Sequence, residues 1–430
     1  MLAASLTLGA LAFAPDEAVA GEDPAFRSRV DVGVGSAAED AFFLLLLEQG
    51  FQYRGLDVLL AGPLRLRIHD EPPRENAVIR EQDWDEPSDY ARIAPRIRYE
   101  GEFNNGALLL HLGELNGVGI GHGAVMDHYY NNTDMDHYKG GAYGEGHFAG
   151  NGAQLALDNV ISPRAFAARA FAAPIAWFLE GDWPRRLEFG YTIAADTGIP
   201  APSDAAPDDS VVITGGDISL VIVDVSFCDI TPYFDMLVMD GEPGIHAGLA
   251  TSWVLSEERN VDLHLRGEYR RLGRDYHPVV FNPFHEHNRR HFIGRDAATG
   301  LDHSLTEHLA QVDDPVRNGF MADLTLDWDE RVRFQARYDN QGRDMPHWLL
   351  LRADITPSDR FSLGILYAGQ DMRGGTGVFS QDSLMAISAD AGIWGPLRIF
   401  AEFTRRWRRT AGTMAYANES AGGLGLLFAY

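Results

Sequence analysis

The sequence predicts an all-β fold: a closed antiparallel transmembrane β-barrel of about 18 strands (16–20), with short turns at one rim and long loops at the other. Three observations carry that expectation. Strand-like runs of about eight to twelve residues alternate oily with charged side chains. No apolar run after residue 20 approaches the roughly eighteen residues of a spanning helix, the longest being 41–47. The connections between the runs alternate short with long.

Each strand follows from its alternation, because successive side chains of a strand point to opposite faces. The first runs over 54–70, with Leu64, Leu66 and Ile68 on one parity and Arg65, Arg67 and His69 on the other. Pairs follow at 93–103 with 106–115, 139–148 with 152–160, 165–178 with 187–196, 217–228 with 232–240 and 245–255 with 261–272. Three more lie at 319–328 with 332–340, 347–355 with 361–370 and 383–393 with 397–409, and 419–430 comes last. Val261, Leu263, Leu265 and Tyr269 oppose Asp262, His264, Arg266, Glu268 and Arg270. Val332, Phe334, Ala336 and Tyr338 oppose Arg333, Gln335, Arg337 and Asp339. Leu349, Leu351, Ala353 and Ile355 oppose Arg352 and Asp354, while Leu397, Ile399, Ala401 and Phe403 oppose Arg398 and Glu402. Leu187, Phe189, Tyr191 and Ile193 face away from Glu188, and Arg98 and Glu100 share a parity on 93–103. A soluble sandwich uses strands of about five or six residues, whereas a tilted strand needs about nine to eleven to cross a bilayer.

The connections support the same fold. Turns such as 104–105, 256–260, 329–331 and 394–396 are short, and 69–91, 116–139, 197–216, 273–318 and 370–382 are long and polar. A structureless loop as long as 273–318 counts against a compact soluble domain. Trp183, Trp253, Trp328, Trp348, Trp394 and Trp407 gather near strand ends, where interfacial aromatic girdles sit. Residues 26–50 are left over as a periplasmic helix, a short plug or an extra strand pair.

Composition narrows the chemistry. Residues 6–13 are apolar, and Ala18-Val19-Ala20 before Gly21 is a cleavage pattern, so 1–20 read as a signal peptide, although no Lys or Arg precedes the apolar run. The resulting division is 1–20 signal peptide, 21–53 N-terminal periplasmic segment or plug, and 54–430 barrel. A single cysteine, Cys228, excludes an intramolecular disulfide, a redox pair and a thiolate metal site. Lys139 is the only lysine, which confines any Schiff-base chemistry to one position. The formal net charge of −26 speaks against a nucleic-acid partner.

The last residues add a more specific mark. In 419–430, ESAGGLGLLFAY, Leu424, Leu426, Phe428 and Tyr430 share one parity and the run stops on an aromatic. This ending resembles the C-terminal signal of Gram-negative outer-membrane β-barrel proteins, and the whole chain resembles their porin-like members at the level of architecture. The resemblance implies short periplasmic turns, extracellular loops, outer-membrane lipids around the wall and recognition of Leu426, Phe428 and Tyr430 by the barrel-assembly machinery. It implies a channel for small polar solutes with no cofactor, and leaves a homo-oligomer open.

With oily faces toward lipid, the charged parities line the lumen: Arg65, Arg67, Arg98, Glu100, Glu188, Asp262, His264, Arg266, Glu268, Arg270, Arg333, Arg337, Arg352, Asp354, Arg398 and Glu402. Both signs are present, as cross-strand ion pairs or as a transverse field on passing solutes. Eight acids between Asp70 and Arg92 suggest a negative vestibule and a preference for cations. The loop 117–138 is the constriction candidate, with glycines for tight bends and His122, Asp127, His128, Asp134, Asp136 and His137 as polar groups. Its Asp and His spacing permits a divalent ion but matches neither the EF-hand nor H-E-x-x-H, so no metal is assigned. The histidines at 277, 285, 287, 291, 303 and 308 read as a surface loop. No nucleophile motif is present, and Ser252 and His264, on neighbouring strands, are not read as a triad, so no catalytic residues are expected. Two other readings remain: a closed structural or adhesive barrel, and a secreted β-sandwich that binds glycans.

Overall fold

A computed structural model describes residues 23–429, apart from residue 39 and the segments 70–77, 104–105, 180–182, 200–208, 290–291, 296–301, 304–315, 330, 343–344, 371–382 and 411–412. Residues 1–20, read above as a signal peptide, and the terminal Tyr430 therefore lie outside the described residues.

The wall strands are β1 Ala25–Ala37, β2 Asp40–Tyr53, β3 Leu56–His69, β4 Arg96–Phe103, β5 Gly106–Gly113, β6 Gly141–Phe148 and β7 Asn151–Leu157. They continue as β8 Ala165–Ala172, β9 Leu187–Ile199, β10 Asp209–Leu220, β11 Cys228–Met239, β12 Glu242–Ser256 and β13 Val261–Gly273. The wall is completed by β14 Val316–Trp328, β15 Val332–Asn340, β16 Trp348–Ser358, β17 Phe361–Gln370, β18 Ser383–Trp394, β19 Leu397–Thr410 and β20 Thr413–Ala429. The short piece Val223–Val225 also pairs with β11 and extends β10 past a bend, so the sheet closes as a barrel of 20 wall strands. Every strand is antiparallel to its neighbours, and β1 pairs with β20 from Arg27 opposite Ala429 to Ala37 opposite Glu419. One closed sheet excludes the β-sandwich reading.

The charge and oil are distributed as in a protein turned inside out. Leu265 is 39% exposed, and Tyr269, Ile399, Leu424, Leu426 and Phe428 are also exposed, while Glu268, Arg270, Arg337 and Asp339 are buried. In water that arrangement would be costly, since large apolar surface would stay hydrated. Against lipid it is the stable one, because hydrocarbon satisfies the outer face and the lumen holds the ions. No helix among the described residues is long and apolar enough to cross a membrane, so the crossing is made by strands. Trp183, Trp253, Trp328 and Trp394 stand exposed near the short turns, joined by Trp177 and Phe178, as an interfacial girdle requires. The chain is a closed antiparallel β-barrel whose oily outer face suits a membrane.

Two expectations need correction. Residues 21–53 are not a periplasmic segment or plug: β1 and β2 are full wall strands paired along their whole length. Their alternation is hidden because the inward Phe42 and Leu44 are as apolar as the outward Phe43 and Leu45, packing in the lumen against Met135 and Phe400. This pair raises the strand number from about 18 to 20. Trp348 and Trp407 do not belong to the girdle, since both are buried at the long-loop end, against loop residues inside the barrel. One seam is partial: β4 pairs with β3 only over Leu56–Leu59, and beyond that point the segment 78–80 takes over, with the Arg67 N–H donating to Val78 O and the Arg80 N–H to Arg65 O.

The facing assigned here has a direct test. Leu265 sits mid-strand on the outer face, so Leu265→Arg should cost about 2–4 kcal/mol of folding free energy in lipid vesicles, the range for a charge near the bilayer midplane. An unchanged folding free energy would mean that the lipid and lumen faces are reversed.

Candidate functional site

The connection from β5 to β6, residues 114–140, folds into the barrel and crosses its lumen. Its glycines make that path possible: Gly121 and Gly123 adopt positive φ of 58° and 80°, and a Cβ on Gly123 would strike the side chains of Asp127 and Arg266. Asn116–Val118 and Tyr129–Tyr130 pair as a small ribbon inside the barrel. A second inward segment, Tyr276 to Arg289 with the short helix His285–Asn288, lies alongside. The two are stitched by backbone bonds, Val279 N–H to Ala124 O at 2.9 Å, Phe281 N–H to Val125 O at 3.1 Å and Asp127 N–H to Phe281 O at 3.0 Å. Where they meet each other and the wall, Ile120, Val125, Met126, Tyr129 and Phe281 form a dry cluster with the inner faces of β10 and β11.

Ionic contacts hold the loop to the wall. Asp127 accepts charge-assisted bonds from Arg266 on β13 and Arg337 on β15, and Arg266 also donates to the carbonyl of His122 at 2.7 Å. Burial works against ionisation of Asp127, but Arg266 and Arg337 outweigh it and hold the carboxyl well below the usual carboxylate range. Arg337 lies 4.7 Å over the Trp348 ring and donates to Asp339 at 3.0 Å. The His128 ring reaches Gln335 at 2.7 Å and Asp127 at 2.9 Å. Further along, Asp136 accepts from Arg80 at 2.5 Å and from Arg408 on β19 at 2.8 Å. Asp134 holds His137 at 3.0 Å. At the exit Lys139 bonds Glu286 at 2.5 Å and Asp158 at 3.2 Å, tying the two inward segments together. Despite burial, Arg289 and Lys139 keep the Glu286 carboxyl well below its ordinary value.

The remaining residues proposed to line the lumen fall on the inner parity, and several are spent on ion pairs. Arg65 pairs with Asp83 at 3.1 Å and with Glu419, and Arg67 reaches Asp40 and Gln82. Glu268 accepts from Tyr233 at 2.8 Å and from Arg270, whose other arm holds Asp339 at 2.7 Å. Arg352 pairs with Asp354 at 2.6 Å, and Arg398 with Asp390. Nearer the short-turn rim the groups are more open: Arg98 with the exposed Glu100 at 2.9 Å, Glu188 with Arg169 at 2.7 Å, and Arg333 with Asp327 at 2.6 Å. Asp262 and Glu402 are half-buried on the same face.

One sequence reading is revised. His277 and His285 are not on a surface loop: His285 is 3% exposed and bonds Asp196 at 2.9 Å inside the barrel. Ser252 and His264 do touch, Oγ to Nδ1 at 2.9 Å, with Asp327 4.0 Å from the other ring nitrogen. Asp327 is engaged by Arg333 instead, and the strand amides around Ser252 are committed to the ladder, which leaves no backbone donors for an oxyanion. Asp83, counted among the acids of a negative vestibule, is instead buried between Arg65 and Arg80; sequence reasoning gave no lumen role to Arg80, Glu286 or Arg289 and did not join His122 to Asp217 and Asp235. No motif signals them, because their partners lie far off along the chain.

No protein-family model matches the chain, and no curated protein matches it in sequence. Among solved structures, OccK5 (OpdH) of Pseudomonas aeruginosa aligns over 95% of this chain and 98% of its own, at 10% identity and a TM-score of 0.33. OccAB4 of Acinetobacter baumannii aligns over 96% and 99%, at 7% identity and 0.35. Wzi of Escherichia coli, an outer-membrane protein involved in group 1 capsule assembly and a carbohydrate-binding β-barrel, aligns over 95% and 85%, at 10% identity and 0.35. At such scores these likenesses add nothing to what the closed sheet itself establishes.

The tie between His137 and Asp134 can be titrated. The hydrogen bond to Asp134, working against burial, raises the imidazole from 6.5 to about 9. Its stabilising contribution is therefore complete below pH 6.5 and lost as the pH climbs through about 9. NMR titration of the folded barrel should place His137 near 9, and Asp134→Asn should return it toward 6.5. A wild-type value near 6.5 would show that the bond does not form.

Proposed function

We propose that the chain is a narrow outer-membrane channel for small polar solutes, constricted by the inward loop 114–140 and preferring cations. The observation that carries this reading is the pair of wall arginines, Arg266 and Arg337, converging on Asp127 of the loop. A loop held across a lumen by ions defines a fixed aperture, because its position no longer depends on loop entropy. Toward the periplasmic rim the open groups Glu100, Glu188, His264 and Arg333 present both signs to a passing solute. The formal net charge of −26 makes the molecule's overall field attract cations.

A second reading has an observation of its own. The dry cluster between the two inward segments is packed as a protein core, which favours a closed structural barrel. Planar-bilayer recording separates the two. The channel reading expects small, well-resolved steps from the wild type, with a reversal potential on the cation side in a salt gradient. Asp127→Ala should unpin the loop and raise the unitary conductance severalfold. Steps in the variant alone would favour the closed scaffold, and silence from both would sink the channel.

Assembly is proposed to depend on the outward row Leu424, Leu426 and Phe428, together with Tyr430, which shares their parity in the sequence, and this row would present itself to the assembly machinery before β20 closes on β1. Deleting residues 428–430 should abolish membrane insertion while the chain is still exported. Normal insertion of the truncated chain, scored by heat-modifiable migration on a detergent gel, would remove this role.

A further inference from the structure

His122, on the constriction loop, comes to rest between carboxylates of two neighbouring wall strands. Asp217 on β10 and Asp235 on β11 are direct register partners, so two like charges face each other across the ladder. Such a pair is destabilising unless a cation stands between them. Asp217 has one, since Arg169 grips it at 3.0 and 2.6 Å. Asp235 has none: it is 3% exposed, its single ionic partner among the described residues is the imidazole of His122 at 2.8 Å, and its Oδ2 is buried without a hydrogen bond. Elsewhere in this lumen buried carboxylates such as Asp127, Asp136 and Glu286 are met by guanidinium or ammonium groups. An uncompensated buried carboxylate is costly, and that cost identifies a missing positive charge.

The geometry can hold one. One ligand atom each from His122, Asp217 and Asp235 lies within 4.8 Å of the others. The ring of Tyr233 stacks on His122 at 4.3 Å and fixes its plane. We infer that His122, Asp217 and Asp235 form a divalent metal site with one imidazole nitrogen and two carboxylate oxygens, the remaining positions being taken by lumen water. A mixed nitrogen and oxygen set suits Zn²⁺ or Mn²⁺ better than Ca²⁺, which takes oxygen from six or more donors. A bound ion would tie the loop to β10 and β11 much as Asp127 ties it to β13 and β15, so the constriction would be fastened on two sides.

Zn²⁺ is the probe. The full chain, refolded in detergent, stripped with chelator and shown to be heat-modifiable, should bind one Zn²⁺ tightly by titration calorimetry. His122→Ala and Asp235→Asn should each weaken that binding at least tenfold. The exposed His147, on β6, is the control, and His147→Ala should leave it unchanged. The histidine-rich stretch after residue 274 is the alternative source of zinc ligands, and tight binding that survives both substitutions would place the ion there and overturn the inference, as would no tight binding at all. A second readout avoids substitutions: Zn²⁺ should protect His122 from carbethoxylation in the wild-type chain, as mapped by mass spectrometry, and equal labelling with and without the ion also overturns it. Binding is measured without transport, so failure here leaves the channel reading untouched.

Discussion

Inside hydrocarbon a peptide group has no water to bond, so the ladder between β1 and β20 has to close before any other feature can exist. That seam runs from Arg27 opposite Ala429 to Ala37 opposite Glu419 and converts a sheet with two edges into a wall with none. Closure with 20 strands then sets the next problem. Barrels of about eight strands are filled by their own side chains, whereas those of sixteen or more leave a water-filled interior. The width dictated by closure is therefore what makes the inward segments necessary if the lumen is to be narrowed at all.

How those segments are held follows from the medium. The wall's inner face is charged, so a loop that enters must offer either opposite charges or a dry surface of its own. It does both. Asp127 and Asp136 meet Arg266, Arg337, Arg80 and Arg408, while Val125, Met126 and Tyr129 turn toward Phe281 of the second segment. Isolated ion pairs at a surface contribute little, because water and salt screen them. In this lumen Arg80 and Arg337 are buried and serve two acceptors each, Asp83 with Asp136 and Asp127 with Asp339, and removing one partner would strand a charge. Rigidity of the constriction thus comes from mutual dependence among charges more than from any single bond.

The wall was largely legible in the sequence because lipid and lumen impose opposite preferences on adjacent residues. Leu265 beside Arg266 and Ile399 beside Arg398 could be assigned to faces by parity alone. Legibility failed where the lumen face is itself apolar. Phe42 and Leu44 pack on Met135 inside the barrel, which turned β2 into an unpatterned oily run. It failed again for Trp348 and Trp407, since a tryptophan near a strand end reads the same whether it meets headgroups or a loop. The glycines of 117–123 disclosed that the loop could bend but not where it would go. Its partners lie far off in sequence, Asp235 113 residues after His122 and Arg337 210 residues after Asp127, and no local pattern encodes separations of that kind.

The same reasoning explains why the inward segments enter from the long-loop end. Hairpins at the other rim are too short to enter the barrel, and their charged neighbours, such as Arg333 with Asp327 and Arg98 with Glu100, stay partly open to solvent. The connections after β5 and β13 reach across, and they meet over the lumen because each alone would expose its apolar residues to water. Val125 and Phe281 need each other for the reason that any core needs two sides. The charged contacts then decide where on the wall that small core is anchored, and so at what depth the inward loop crosses the lumen.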